Sequence, residues 1–140
     1  MKRFTFEIGP GWGSRWAEAR HGNGIVRLLF EMKPGFEEGI GLNYRAVDFD
    51  NCYFVKVVKD GIGLWKRVKG TPYHIKGVRR SVSYGSHEVA VVLLGTLHVL
   101  IYDSLPIIVV NDSTFTSGDY VGASFWNAKS REKVTVEVLP

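Results

Sequence analysis

The chain has 140 residues, 45% of them apolar, and a formal net charge of +4. That length is enough for one self-supporting core over residues 1–140, and no stretch approaches the roughly 20 uninterrupted apolar residues of a membrane-spanning helix, so no membrane insertion is expected. Cys52 is the only cysteine, which excludes an internal disulfide and a cysteine-based zinc site.

Met1 to Phe6 alternates and lacks the apolar centre of a secretion signal, which favours an intracellular or virion setting while leaving the compartment open. Arg3–Ile8 reads as a first strand, ended by Gly9-Pro10-Gly11. Trp12–Asn23 mixes Gly, Ser, Arg and His with two tryptophans in no sustained period, and reads as a loop. Ile25–Lys33 is a strand with Val26, Leu28, Phe30 and Met32 on one side. Gly39–Val47 alternates again: Ile40, Leu42, Tyr44 and Ala46 point inward, Gly41, Asn43 and Arg45 outward. Asp48–Asn51 turns the chain, Cys52–Val58 returns it, and Lys59-Asp60-Gly61 is a hairpin signal. Ile62–Val68 follows, and Tyr73–Val82 is a less regular strand.

The last third carries the most regular pattern. His87–Gly95 and Thr96–Tyr102 hinge at Gly95, Asp103-Ser104 turns into Leu105–Val110, and Asp119–Trp126 and Lys133–Val138 close the chain. Short β-runs punctuated by turn residues predict an antiparallel meander here. Some ten or eleven strands and no helical period predict an all-β fold of two packed antiparallel sheets.

Several of these runs resemble one superfamily. Gly41-Leu-Asn-Tyr-Arg-Ala-Val-Asp48, Asp50-Asn-Cys-Tyr-Phe-Val-Lys-Val57, Asp60-Gly61 and Leu64-Trp-Lys-Arg-Val-Lys-Gly70 are similar to a recurrent run in the concanavalin A-like lectin/glucanase group. The likeness is to its laminin-G-like and carbohydrate-binding-module branches. Asp103-Ser104, Asp112-Ser-Thr-Phe-Thr-Ser-Gly118 with Val121-Gly122, and Val134–Val138 resemble the turns and final strand of those domains. The resemblance covers about residues 25–138. It implies a jelly-roll β-sandwich with one concave sheet, on which many relatives bind sugars; its motifs are turns, glycines and inward apolar positions, so they speak for fold more than ligand.

Catalysis is not expected. The hydrolases of that superfamily place paired carboxylates on one strand face, as nucleophile and acid/base. Here Glu37 and Glu38 are adjacent, while Glu31, Glu88, Glu132 and Glu137 are isolated. Some relatives hold calcium, which takes six to eight oxygens. Asp48, Asp50, Asn51, Asp112 and Asp119 could supply them, but turns use Asx residues for their own backbone; no cofactor is expected, and calcium is not supported. His21, His74, His87 and His98 have no metal spacing, and a satisfied or edge-exposed histidine is the reading for each.

Sugar binding needs flat aromatics and fixed polar groups on one surface. In the strand Asp119–Trp126, Val121, Ala123 and Phe125 point inward, leaving Tyr120, Gly122, Ser124 and Trp126 outside. With the neighbouring strands in the same sheet, Asn43, Arg45, Lys56, Ser124 and Trp126 form the candidate ligand-binding set, Phe54 joins them, and Trp12, Trp16 and Trp65 form a loop wall. The competing reading of each tryptophan is core or inter-subunit packing, and of Arg45 and Lys56 cross-strand pairing with acids.

From Lys56 to Arg80 eight basic residues face one acid, Asp60. Such a run attracts polyanions or forms a solvated outer face that blunts edge pairing. No glutamine, two methionines and many charges lean toward a heat-adapted source. The leading reading is a non-catalytic, lectin-like domain that takes a glycan, acidic sugars favoured, on its concave sheet. The alternative is a self-assembling β-sandwich, such as a surface or virion protein, because Val89–Leu94 and Leu97–Ile101 are more apolar than a half-exposed sheet requires; a homo-oligomer would bury them. Nucleic-acid binding ranks last, for want of the aromatic-plus-basic spacing of single-strand readers.

Overall fold

The computed structural model describes residues 1–140, which form twelve strands and no helix. They are β1 (Lys2–Ile8), β2 (Gly11–His21), β3 (Gly24–Met32), β4 (Ile40–Asp48), β5 (Asn51–Val58), β6 (Gly61–Val68), β7 (Thr71–Arg79), β8 (Gly85–Leu94), β9 (Leu97–Tyr102), β10 (Leu105–Asn111), β11 (Gly118–Ala128) and β12 (Glu132–Leu139). They build two six-stranded antiparallel sheets. Sheet A has the order β1-β12-β3-β8-β9-β10, and sheet B the order β2-β11-β4-β5-β6-β7.

The first four strands alternate between the sheets. The chain then lays down β4–β7 as a meander in sheet B and β8–β10 as a meander in sheet A. The meander expected over the closing third stops at β10. β11 crosses to sheet B between β2 and β4, and β12 returns to sheet A between β1 and β3. Both strands thereby gain two hydrogen-bonding neighbours, where a continued meander would leave β12 as an open edge.

Trp12–Asn23 is not a loop. Residues Gly11–His21 pair with β11 as an edge strand, with Ser14 opposite Ser124 and Trp16 opposite Gly122. Its inward side carries the small Gly13, Ala17 and Ala19 and the exposed Arg15, whose guanidinium lies over Phe125, so its alternation carries no hydrophobic signal; the hydrogen-bonding edge of β11 makes it a strand.

Elsewhere the period-two pattern is obeyed. Val26, Leu28, Phe30 and Met32 of β3, Ile40, Leu42 and Tyr44 of β4, and Val121, Ala123 and Phe125 of β11 are all buried; Ala46, expected inward, is buried too but stands opposite the outward Tyr120, because the register shifts before it. With Val134, Val136 and Val138 of β12 they lie in one inter-sheet core of 29 apolar residues, all but Ala46, whose side chain lies outside that cluster.

Arg45 departs from the pattern. The register of β4 shifts here against both neighbours, and Arg45 adopts a left-handed φ of 45°. This bulge takes the side chain off the outer face and buries it completely. Its guanidinium donates to the carbonyls of Gly22 (3.1 Å), Gly95 (2.8 Å) and Phe115 (3.1 Å). Those carbonyls belong to the β2–β3, β8–β9 and β10–β11 connections, so one side chain ties both sheets at one end of the sandwich.

Nearby, buried His98 shares a 2.8 Å hydrogen bond with the Tyr44 hydroxyl. Tyr53 donates to Asp112 Oδ1 at 2.6 Å, and Lys66 lies 3.0 Å from Oδ2. Burial pushes the Asp112 carboxyl upward, but the bonds from Tyr53, Thr114 and Lys66 win and hold it well below the usual carboxylate range.

Candidate functional site

The outer face of sheet B carries a row of rings across four strands. Trp126 of β11 lies 6.0 Å from Phe54 of β5, centroid to centroid. Phe54 lies 5.9 Å from Trp65 of β6, nearly parallel at 11°, and Trp65 meets His74 of β7 edge-on at 4.8 Å. Trp126 reaches Phe54 by crossing β4 where that strand has no side chain: a Cβ on Gly41 would stand 2.9 Å from the indole and 2.7 Å from the Val55 carbonyl.

Two cations sit on this row. Lys56 Nζ is 4.6 Å from the Trp126 ring centroid, and Arg67 Cζ is 5.0 Å from that of Phe54. Neither pairs with a carboxylate; burial lowers the Lys56 pKa from its ordinary value, and Glu38 opposes this. Beneath Arg67 lies Cys52, its thiol pushed up to about 11 by burial. A thiol so held is not a nucleophile at neutral pH.

Beside the rings runs a chain of small polar groups. Asn43 Nδ2 donates to Ser124 Oγ at 2.8 Å, and Ser124 Oγ stands 2.8 Å from Ser14 Oγ. Asn43 and Ser124 are buried, while Ser14 is half-buried, so Ser14 is the accessible end of the chain. Of the expected set, the fold thus gathers Asn43, Lys56, Ser124 and Trp126 on one face. Arg45 is excluded by its bulge. Trp12, Trp16 and Trp65 reach this side from strands, not from a loop wall.

Two residues of the face escape a reading of the sequence in different ways. Arg67 follows Trp65 by two positions in a strand and faces Cys52 across the β5–β6 hairpin, so strand parity alone could place it beside the rings. Ser14 gives no such signal, because β2 has no legible period.

Long side chains converge over this face. A cleft of about 190 Å³ is lined by Trp12, Ser14, Ser124 and Trp126 together with Arg67. Arg67 and Trp12 are four strands apart in sheet order, about 19 Å if the sheet were flat at about 4.8 Å per strand. A second cleft of about 170 Å³ lies between Phe54, Lys56, Trp65 and Trp126. No carboxylate lines either one.

The Lys56–Arg80 run divides among several places. Lys66 goes to Asp112, Lys59 lies over Tyr84 and Arg80 over Tyr102, and Lys56 and Arg67 line the clefts. The candidate oxygen donors are equally dispersed. Asp48 accepts from the Asp50 amide and from Asn51 within their own turn, Asp112 serves the interior, and Asp119 lies 3.6 Å from Arg20.

No protein-family model matches the chain, and no curated protein sequence matches it significantly. Solved structures do resemble it. The carbohydrate binding module CBM66 from Bacillus subtilis superposes with a TM-score of 0.75 at 15% identity, over 96% of this chain and 92% of that one. The Caenorhabditis elegans galectin LEC-6 gives 0.64 at 9% identity, covering 95% of each. The Crh5 transglycosylase gives 0.67 at 10%, over 96% of this chain and 71% of the enzyme. At these identities the likeness speaks for the fold alone: an all-β jelly-roll sandwich of two antiparallel sheets, as the sequence led one to expect.

Proposed function

We propose that the chain binds carbohydrate without cleaving it, on the outer face of sheet B. The observation that carries this reading is the pair of half-buried indoles, Trp126 and Trp65, on either side of the buried Phe54, beside the Ser14–Ser124–Asn43 chain whose accessible end is Ser14. Sugar rings present C–H faces to aromatic planes and hydroxyls to fixed polar groups, and this surface offers both within one sheet. A carbohydrate binding module among the structural neighbours, over nearly its whole length, supports the reading, as do two clefts without a carboxylate to serve as acid or nucleophile. Lys56 and Arg67, free of ion pairs, favour sugars that carry carboxylate or sulfate groups.

An array of neutral, uronic and sulfated glycans, followed by calorimetry, tests it. Binding to acidic members is expected, weakened by added salt and lost in Trp126→Ala with an unchanged fold. Silence across the array, or full binding by Trp126→Ala, overturns it.

A second reading rests on the outer face of sheet A. Cross-strand register places Ile25, Val92, Val99 and Val109 in one row over β3, β8, β9 and β10, with Val109 53% exposed. Such a row suits self-association. Light scattering on a size-exclusion column is expected to show a dimer or larger species that Val99→Lys converts to monomer; a wild-type monomer at high concentration removes this reading.

A further inference from the structure

The outer face of sheet B holds a second aromatic group, apart from the row of Trp126, Phe54 and Trp65. Trp16 of β2 stacks on Phe49 with centroids 4.8 Å apart and planes at 17°, and Tyr120 of β11 meets Phe49 edge-on at 5.2 Å. Trp16 stands opposite Gly122, and Ser14 opposite Ser124, so Trp16 and Tyr120 share the side on which Trp126 lies.

Phe49 is at the tip of the β4–β5 hairpin and is 52% exposed. The hairpin does not need it there. Asp48 Oδ1 accepts from the Asp50 amide at 2.9 Å, and Asn51 Oδ1 accepts from the Lys69 amide at 2.9 Å, so polar neighbours already satisfy the turn. The phenyl ring instead reaches back past β11 to Trp16. An exposed aromatic that folds over the sheet toward an edge-strand indole extends the recognition surface, whereas a turn residue would point to solvent.

Tyr120 and Trp126 are six residues apart on β11, about 20 Å at about 3.3 Å per residue. Between them the same strand offers only Gly122 and Ser124 on this face, with Ser14 and Asn43 alongside. The ground between the two aromatic groups is therefore polar: Gly122, Ser124 and Asn43 are buried there, and half-buried Ser14 and the Arg67 side chain line the cleft above them. A mono- or disaccharide cannot touch both ends of such a surface. A chain of several sugar residues can, with C–H faces on the aromatics at each end and hydroxyls over Ser14 in the middle.

We infer that Trp16, Phe49 and Tyr120 form a second sugar platform, so that the ligand is a linear polysaccharide gripped along its length and not by a terminal unit. The inference rests on the carbohydrate reading above. The test begins with affinity electrophoresis through polygalacturonate, alginate, xylan and soluble β-glucan, and continues by calorimetry with oligomers of a polymer that retards the protein. The hexamer is expected to bind about tenfold or more tightly than the dimer. Trp16→Ala with Phe49→Ala is expected to bring the hexamer down to the dimer's affinity and leave the dimer untouched, whereas Trp126→Ala abolishes both. If the double variant melts too low to use, Phe49→Ser alone, at an exposed hairpin tip, is expected to cost the hexamer at least about threefold.

Equal affinities for dimer and hexamer, with no effect of the Trp16 and Phe49 changes while Trp126→Ala still abolishes binding, would overturn the second platform and leave the first standing. Free migration through every polymer would sink both.

Discussion

Arg45 shows how a single side chain can be misplaced by an alternation rule and still hold the molecule together. The rule puts residues 41, 43 and 45 on one face, and it holds for the first two. A left-handed φ of 45° at an arginine has no signature in the sequence, because Gly, Asn and Asp are the residues that announce such a conformation. Burying the guanidinium is tolerable only because three backbone carbonyls receive it. Arg45→Met keeps the bulk and strips those carbonyls of their donor, so a loss of about 3 kcal/mol or more is expected in urea unfolding. Arg45→Lys keeps the charge without the planar fork and should fall between the two. A loss under about 1 kcal/mol for Arg45→Met would mean that the carbonyls find other partners. Binding by the folded variants should persist, since Arg45 lies off the proposed surface.

At the scale of strands, what was legible in the sequence follows from where the hydrophobic pattern is written. β3, β4, β11 and β12 each turn one apolar face into the core, and their alternation gave their existence and, up to the bulge at Arg45, their inward residues. β2 buries little and packs by its hydrogen bonds, so Trp12–Asn23 looked structureless, and Ser14 and the strand placement of Trp16 were lost with it. The exchange of β11 and β12 between sheets was equally hidden, since period two says which face is inward but not which neighbour a strand takes. The site inherits this division: Trp126, Ser124, Asn43 and Lys56 come from legible strands, Ser14 from an illegible one. The strand that supports Trp126 makes a further demand on its sequence. Gly41→Ala places a methyl 2.7 Å from the Val55 carbonyl and 2.9 Å from the indole, and the indole is the part free to move. Such crowding costs about 1–3 kcal/mol. The variant should stay folded, shift tryptophan emission to the red, and lose sugar affinity about tenfold. Unchanged emission, with Trp126→Phe as the control that assigns the signal, would show that the indole does not depend on this floor.

Across the whole molecule, the buried titratable groups make stability rise with pH over two separate ranges. His21 Nδ1 lies 2.6 Å from the Ala19 carbonyl, while its Nε2 faces the Arg45 amide at 2.9 Å. That amide requires an acceptor, so the ring is neutral in the fold, and protonation would set two N–H groups against each other. His98 is held between the Tyr44 hydroxyl and the Asp112 carbonyl. Burial lowers both pKa values from the ordinary 6.5, and Arg45 adds to this. Asp112 is lowered from 3.8, its hydrogen bonds outweighing burial. Glu137, nearly inaccessible between Arg3 and Arg27, is lowered from 4.5 because those two cations outweigh its burial. Each folded pKa lies below its unfolded value, so the unfolded chain binds more protons throughout each gap. The histidine contribution is therefore complete above about pH 6.5 and drains away as pH falls toward the folded values; the carboxylate contribution is complete above about pH 4.5 and drains below it. Melting temperature followed from pH 8 to pH 2 should be level at the top and then fall in two stages, the first setting in near pH 6.5 and the second near pH 4. His21→Gln with His98→Gln should erase the first stage whatever it does to the level at pH 8, and Asp112→Asn should shrink the second. A wild-type profile that stays level down to pH 5 would show that neither histidine is held neutral by the fold.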